Sequence, residues 1–157
     1  KFMAEAQERF DLIVVDSTDP FGPAEALFGE AFFRTARDRL TDRGVLVTQN
    51  GVPFLQGPEL QSSVRAFKKL FREGICYLAV VPTYNGGFMA LGWATDNLKL
   101  RKAPLAKIAR LYKAAKLETK YFTPELFAGA FALPAFIQNI VDCAAPKKKA
   151  AKGKAKR

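Results

Sequence analysis

FDLIVVDSTDPFGPAEALF, Phe10 to Phe28, is the stretch on which the fold turns. It opens with an almost unbroken apolar, β-branched run that ends on an acid, Asp16. Such a run reads as a strand buried on both faces of a parallel sheet, not as one face of an amphipathic helix. Two prolines and a glycine follow within STDPFGP, so the chain must leave the strand in a loop.

Downstream, apolar residues recur at helical spacing from Ala24 to Leu40 (Leu27, Phe28, Ala31, Phe32, Ala36, Leu40), with charges between them. Thr41-Asp42-Arg43-Gly44 is expected to stop that helix, with Gly44 at the cap. GVLVTQN, Gly44 to Asn50, is a second short strand. A loop with Pro53, Gly57 and Pro58 leads to a helix near Glu59 to Phe71. ICYLAVVPTY and GFMALGWAT are two more strands, and the Asn85-Gly86-Gly87 spacer between them predicts an antiparallel hairpin. Residues 103–145 read as two or three helices broken near Pro124 and Pro134.

The order β-α-β-α-β-β-α predicts an α/β domain. Its sheet is mostly parallel and doubly wound, closed by a terminal antiparallel hairpin and followed by C-terminal helices. This is the C-terminal half of a methyltransferase-like, Rossmann-like fold. A Gly-rich nucleoside loop after a leading strand, with a strand-end acid about 20 residues later, belongs to the first half of such folds. Neither is found here, so the sequence is expected to be a fragment, with residues 1–145 forming the C-terminal part of a catalytic domain.

Composition narrows the function. Hydrophobic residues make up 49% of the sequence, which excludes a disordered protein. No apolar run reaches the ~18 residues of a membrane span, and the N-terminus has no apolar signal core, so a cytoplasmic protein off the membrane is expected. There is no histidine, which removes His-based triads and His-ligated metal sites within this sequence. Cys76 and Cys143 are expected to be two buried thiols and not a disulfide. KKKAAKGKAKR, residues 147–157, carries seven positive charges; without them the net charge falls from +10 to +3. Residues 146–157 are therefore expected to be a disordered Lys-rich tail, able at most to attract nucleic acid weakly and without sequence readout.

Ligands of open parallel sheets bind at the carboxyl ends of the strands. Asp16, Ser17, Thr18 and Asp19 follow the first strand, Gln49 ends the second, and Tyr84 ends the third. Taken singly, D-x-x-D-P also fits an Asx-type turn, Gln49 a loop hydrogen bonder and Tyr84 a packed aromatic. Together they put an acid pair, an amide and a phenol on one rim. Acids so close repel each other unless a cation lies between them, which implies a cationic substrate.

FDLIVVDSTDPFGPAEALF is similar to the D-x-x-D-P-x-G-P-A-E segment of the polyamine aminopropyltransferases, the spermidine synthase family. VLVTQN, VVPTYNGGFMALGWAT and AFALP (Ala130 to Pro134) resemble further family segments in the same order. Family members often carry Y-Y-x-P-x-x-H before A-F-x-L-P; here Phe122 follows Tyr121, and Phe127 stands at the histidine position. The resemblance implies transfer of an aminopropyl group from decarboxylated S-adenosylmethionine to a diamine such as putrescine, giving spermidine and 5′-methylthioadenosine. It implies a cosubstrate and no cofactor or metal, and a homodimer or homotetramer at full length. Asp16 would be the base, with Asp16, Ser17, Thr18, Asp19, Gln49 and Tyr84 lining the amine site and Pro23 lying against the thioadenosine. A methyltransferase on the same scaffold and a noncatalytic protein that kept the fold are the rival readings.

Overall fold

The structure is a computed structural model that describes residues 2–17 and 22–144. Thr18, Asp19 and the Lys-rich tail lie outside the described residues, as does the side chain of Pro23. The short helix α1 (Phe2–Glu5) precedes strand β1 (Phe10–Val15). Next come a 3-10 helix at Gly22–Leu27, helix α2 (Glu30–Asp38), strand β2 (Leu40–Gln49) and helix α3 (Gly57–Leu70). The hairpin strands β3 (Glu73–Val80) and β4 (Phe88–Thr95) are followed by helices α4 (Leu105–Ala115), α5 (Pro124–Gly129) and α6 (Ala135–Cys143).

The four strands form one sheet in the order β1-β2-β4-β3. β1 and β2 are parallel, with Ile13 opposite Leu46 and Val15 opposite Thr48. β4 runs antiparallel to both its neighbours, pairing Gln49 with Leu91 on one side and Cys76 with Gly92 on the other. The α3 crossover carries β3 one strand beyond β2, and the short hairpin turn lets β4 return only into the gap between them. β4 is accordingly the most enclosed strand, with six of its eight residues buried. FMALGWAT lacks the polar alternation of an edge strand for this reason.

Partners across a ladder share a face, so the register sorts the side chains. One face carries Ile13, Val15, Leu46, Cys76, Ala90 and Ala94, all buried beneath α2, α3 and α6. Those helices contribute Phe33 and Ala36, then Leu60, Val64, Phe67 and Leu70, then Ile137 and Val141. Helix and sheet approach closely at two glycines. A Cβ on Gly74 would lie 2.6 Å from the Phe67 Cβ, and one on Gly92 would lie 2.7 Å from the Phe67 Cε2.

The opposite face is covered unevenly. Toward β3 and β4, Tyr77 and Trp93 pack against Phe131 at 5.4 Å between ring centroids. Toward β1, Leu12 and Val14 stand 55% and 60% exposed, on the strand that forms the free edge of the sheet. An apolar edge strand left open on one face is an association hazard and a surface that demands a covering layer.

Three local expectations need correction. The helix expected from Ala24 begins only at Glu30, because Gly22 takes φ +60° and Gly29 caps α2 in an extended conformation. Gly44 does not cap that helix, which ends at Asp38; it lies inside β2. Glycine is required there by close approach, since a Cβ would meet the Leu40 side chain and the Phe10 carbonyl oxygen at 2.9 Å. Finally, both cysteines are free but only Cys76 is buried; Cys143, the last residue of α6, faces outward. Burial pushes the Cys76 thiol up to about 12, far from reactivity at neutral pH.

Candidate active site

β1, β2 and β3 point the same way, so their carboxyl ends meet at one rim of the sheet. Asp16 is the first residue past β1, and its side chain is exposed. Gln49 is the last residue of β2 and is half-buried. The register Val15↔Thr48 makes Asp16 and Gln49 the next residues on neighbouring strands, whose axes lie about 4.8 Å apart. Neither side chain is used in a hydrogen bond among the described residues. Ser17, half-buried, follows Asp16 into the loop.

Tyr84 sits differently from expectation. β3 ends at Val80, so Tyr84 belongs to the connection after the strand and not to the strand itself. That connection is pinned by three backbone hydrogen bonds: Val81 N–H to Gly87 O, Tyr84 N–H to Val81 O and Gly87 N–H to Tyr84 O, at 2.9, 3.1 and 2.9 Å. Tyr84 is 43% exposed. It shares the rim with Asp16, but β2 and β4 intervene, a separation of about 14 Å at the strand spacing. The fold thus brings Asp16 and Gln49 side by side and sets Tyr84 across the rim from them.

Sequence reasoning passed over the group that fixes this rim. Asn50, next to Gln49, is only 2% exposed, on the opposite face of the sheet from Gln49. Its Oδ1 accepts a 2.6 Å hydrogen bond from Thr48 Oγ1, and both side chains occupy the room that Gly92 leaves without a Cβ. Asn50 N–H donates to Ala90 O and Ala90 N–H to Gly51 O, both at 2.9 Å, which carries the β2–β4 ladder past the end of β2. Beyond it, Gly51 turns the backbone at φ +73°, and Gln56 Oε1 accepts from Val52 N–H at 2.8 Å. The end of β2 that presents Gln49 is therefore held from both sides. The signal for it was the Asn50-Gly51 pair directly after a strand, a sharp-turn signature.

An apolar pocket of about 350 Å³, lined in part by Tyr77, Ala79, Leu91 and Trp93, lies beside the rim, where Leu91 is the ladder partner of Gln49. A cleft of about 1170 Å³, lined in part by Arg43, Arg72, Asp96 and Lys107, sits at the amino ends of the parallel strands. One of its charges is engaged: Asp96 accepts from the guanidinium of Arg37, which lies outside the cleft, at 3.0 Å and from the backbone N–H of Arg72 at 2.8 Å. Among the described residues no three His, Cys, Asp or Glu side chains gather in a metal-binding group, and no helix is long and apolar enough to cross a membrane.

Known proteins resemble this chain over most of its length. The spermine/spermidine synthase domain model matches residues 1–103. The polyamine aminopropyltransferase of Ruegeria sp. (strain TM1040) is 49% identical over 139 residues, covering 88% of this chain and 49% of that protein. Polyamine aminopropyltransferase 1 of Pseudomonas aeruginosa is 41% identical over 141 residues, covering 90% and 49%. Among solved structures, a spermidine synthase in complex with the transition state analogue AdoDATO superposes with a TM-score of 0.80 at 26% identity. That match covers 90% of this chain and 48% of the other. Spermidine synthase from Thermotoga maritima gives a TM-score of 0.76 at 26% identity, covering 90% and 47%. The chain spans about half the length of the curated relatives it matches. With two thirds of its residues inside the family model and its sheet matching those structures, the chain belongs to the spermine/spermidine synthase family.

Proposed function

We propose that this protein is the C-terminal part of a polyamine aminopropyltransferase, with Asp16 as the base at the rim. The observation that carries the reading is the register that sets Asp16 beside Gln49 at adjacent strand ends, within the segment the family model matches. The substrates are decarboxylated S-adenosylmethionine and a diamine, putrescine. Asp16, Ser17, Thr18, Asp19 and Gln49 line one side of the amine site, Tyr84 contacts the amine from across the rim, and Pro23 lies against the thioadenosine. The cytoplasmic location and a homo-oligomeric full-length protein go with this reading.

The chemistry is a displacement. The nitrogen lone pair of the neutral amine attacks the aminopropyl carbon attached to sulfur, a C–N bond forms, and the C–S bond breaks. The electron pair stays on sulfur, so 5′-methylthioadenosine leaves as a neutral thioether. The difficulty is the proton. An alkylammonium has a pKa of ~10.4 and an ordinary carboxylic acid ~3.9, so transfer between free groups is uphill by about 9 kcal/mol. Two effects narrow that gap. A neighbouring sulfonium and desolvation both disfavour the ammonium, and the new bond to carbon makes the nitrogen proton far more acidic as it forms. A carboxylate held at the strand end accepts the proton late in the attack, and positioning supplies much of the remaining rate.

The face left open at Leu12 and Val14 lies below this rim, and the rest of the relatives' length would supply its cover. The isolated 157-residue protein is therefore expected to be inactive. The deciding assay supplies the full-length protein with putrescine and decarboxylated S-adenosylmethionine. Equal amounts of spermidine and 5′-methylthioadenosine support the reading; no such products here, with S-adenosylhomocysteine formed in a parallel reaction supplied with S-adenosylmethionine, would establish a methyltransferase. Tyr84→Phe removes one hydroxyl contact to a charged amine at a partly exposed position, so KM for putrescine should rise about 3–10-fold with kcat little changed. An unchanged KM would take Tyr84 out of the amine site.

A further inference from the structure

Asn-Gly occurs twice in the sequence, at Asn50-Gly51 and Asn85-Gly86, and the fold treats the two in opposite ways. Asparagine amides are lost when the backbone nitrogen of the next residue reaches the asparagine Cγ. Glycine obstructs that approach least, because it has no Cβ and turns freely. What the surrounding structure permits then decides the outcome.

Asn50 is locked. It is 2% exposed, its Oδ1 is held by Thr48 Oγ1 at 2.6 Å, and the backbone on both sides is tied to Ala90. The space beside Gly51 is filled by the Gln56 side chain. Rotating the Asn50 side chain toward the Gly51 nitrogen would break its hydrogen bond with Thr48, and the backbone that would have to follow is held by the Ala90 bonds.

Asn85 is open. Asn85 and Gly86 are exposed central residues of a turn closed by Gly87 N–H to Tyr84 O, and Gly86 has φ +85°. That is the type II geometry, in which the amide of the third residue takes no part in the turn hydrogen bond. Gly86 N–H donates to no backbone acceptor among the described residues, and the Asn85 side chain has no partner there. Nothing lies within 4 Å of where a Cβ on Gly86 or Gly87 would be. The three hydrogen bonds that pin this connection use neither the Asn85 side chain nor the Gly86 nitrogen, so neither has to give up a bond before the two meet.

We infer that Asn85 is a spontaneous deamidation site and that the fold protects Asn50 from the same reaction. The deprotonated Gly86 nitrogen attacks Asn85 Cγ, the Cγ–Nδ2 bond breaks, and Nδ2 leaves as ammonia. Water then opens the resulting succinimide at either carbonyl, giving aspartate or isoaspartate. Either product adds one negative charge to the residue after Tyr84, and isoaspartate also lengthens the backbone within the turn. On the function proposed above, that charge falls on the side of the rim where the cationic amine ends; the chemical inference itself does not depend on that function.

The test follows full-length folded protein at mildly alkaline pH, by mass spectrometry of the tryptic peptides spanning residues 73–99 and 44–65. Fragment ions assign each gain of one mass unit to its residue, and a sample in denaturant gives the unprotected reference. In the folded protein, gain at Asn85 should outpace gain at Asn50 by about tenfold or more, and in denaturant the two should converge. Asn85→Gln should abolish the gain assigned to position 85 of the 73–99 peptide. Comparable rates at both sites in the folded protein would overturn the inference. So would an unreactive Asn85 in the folded protein while the denatured protein reacts at both. Because the readout is mass and not turnover, a failure here is separate from a failure of the aminopropyltransferase reading.

Discussion

Asp16→Asn in the full-length protein is expected to lower kcat for spermidine formation by at least the ~10² typical of a positioned base, with folding unaffected. The amide matches the carboxylate in shape and still accepts a hydrogen bond on one oxygen, but it takes no proton and carries no charge. The side chain is exposed at the end of β1, outside the packed core, so the substitution removes no buried contact. A circular dichroism spectrum and melting curve like those of the unaltered protein would exclude misfolding as the cause. The proton problem also makes the loss depend on pH. If Asp16 accepts the amine proton, raising the pH supplies more free amine from solution and should recover part of the lost rate. A variant that kept near-normal kcat, or a deficit unchanged across pH, would remove Asp16 from the role and leave it a turn residue. KM for putrescine should rise as well, because one negative charge of the amine site is gone.

How far this could be read from the sequence is clearest at its strands. FDLIVVD and GVLVTQN are apolar on both faces, which predicted two parallel strands correctly, although β1 is buried on one face only, with Leu12 and Val14 exposed on the other. The hairpin was legible too, from Asn85-Gly86-Gly87 between two apolar segments. That β4 is the inner strand depends on where α3 sets β3 down, a long-range fact that no local pattern carries. The start of α2 was misplaced because Leu27 and Phe28 fit the helical spacing while Gly29, a conformational break, stands directly after them. Gly44 illustrates the same limit: a glycine after a helix suggests a cap, and only the third dimension reveals the Phe10 carbonyl against which a side chain would collide. Strand-end logic picked out Asp16 and Gln49 because both follow apolar runs directly, and the register sets the two side by side. Asn50 escaped it because a buried amide inside a rim loop has no signature beyond the glycine beside it. Tyr84 was assigned to a strand that stops four residues earlier, since VVPTY continues the apolar run while Pro82 denies the sheet a backbone donor.

Phe67→Ala is expected to destabilise the protein by about 3–5 kcal/mol, the usual cost of emptying an aromatic position in a closed core. Phe67 is fully buried, and its ring lies 4.8 Å from that of Phe33 on α2 and 6.5 Å from that of Phe71. It is the one side chain on α3 against which both Gly74 of β3 and Gly92 of β4 are fitted, so it joins the helix layer to two strands at once. The two glycines hold no side chain that could move into the space, and the neighbouring backbone is fixed by the β3–β4 ladder. Relaxation into the cavity is thus poor, which places the cost in the upper part of that range. For a domain of this size the loss corresponds to a fall in Tm of about 6–20 °C. Phe54→Ala is the matched control, since that ring is 80% exposed and its removal should change stability by less than about 0.5 kcal/mol. Denaturant titration of both variants of the full-length protein measures the difference, with the slope of the transition checked for constancy. A cost below about 1 kcal/mol for Phe67→Ala would mean that the site collapses after all, and that α3 is not seated on Gly74 and Gly92 as the fold requires.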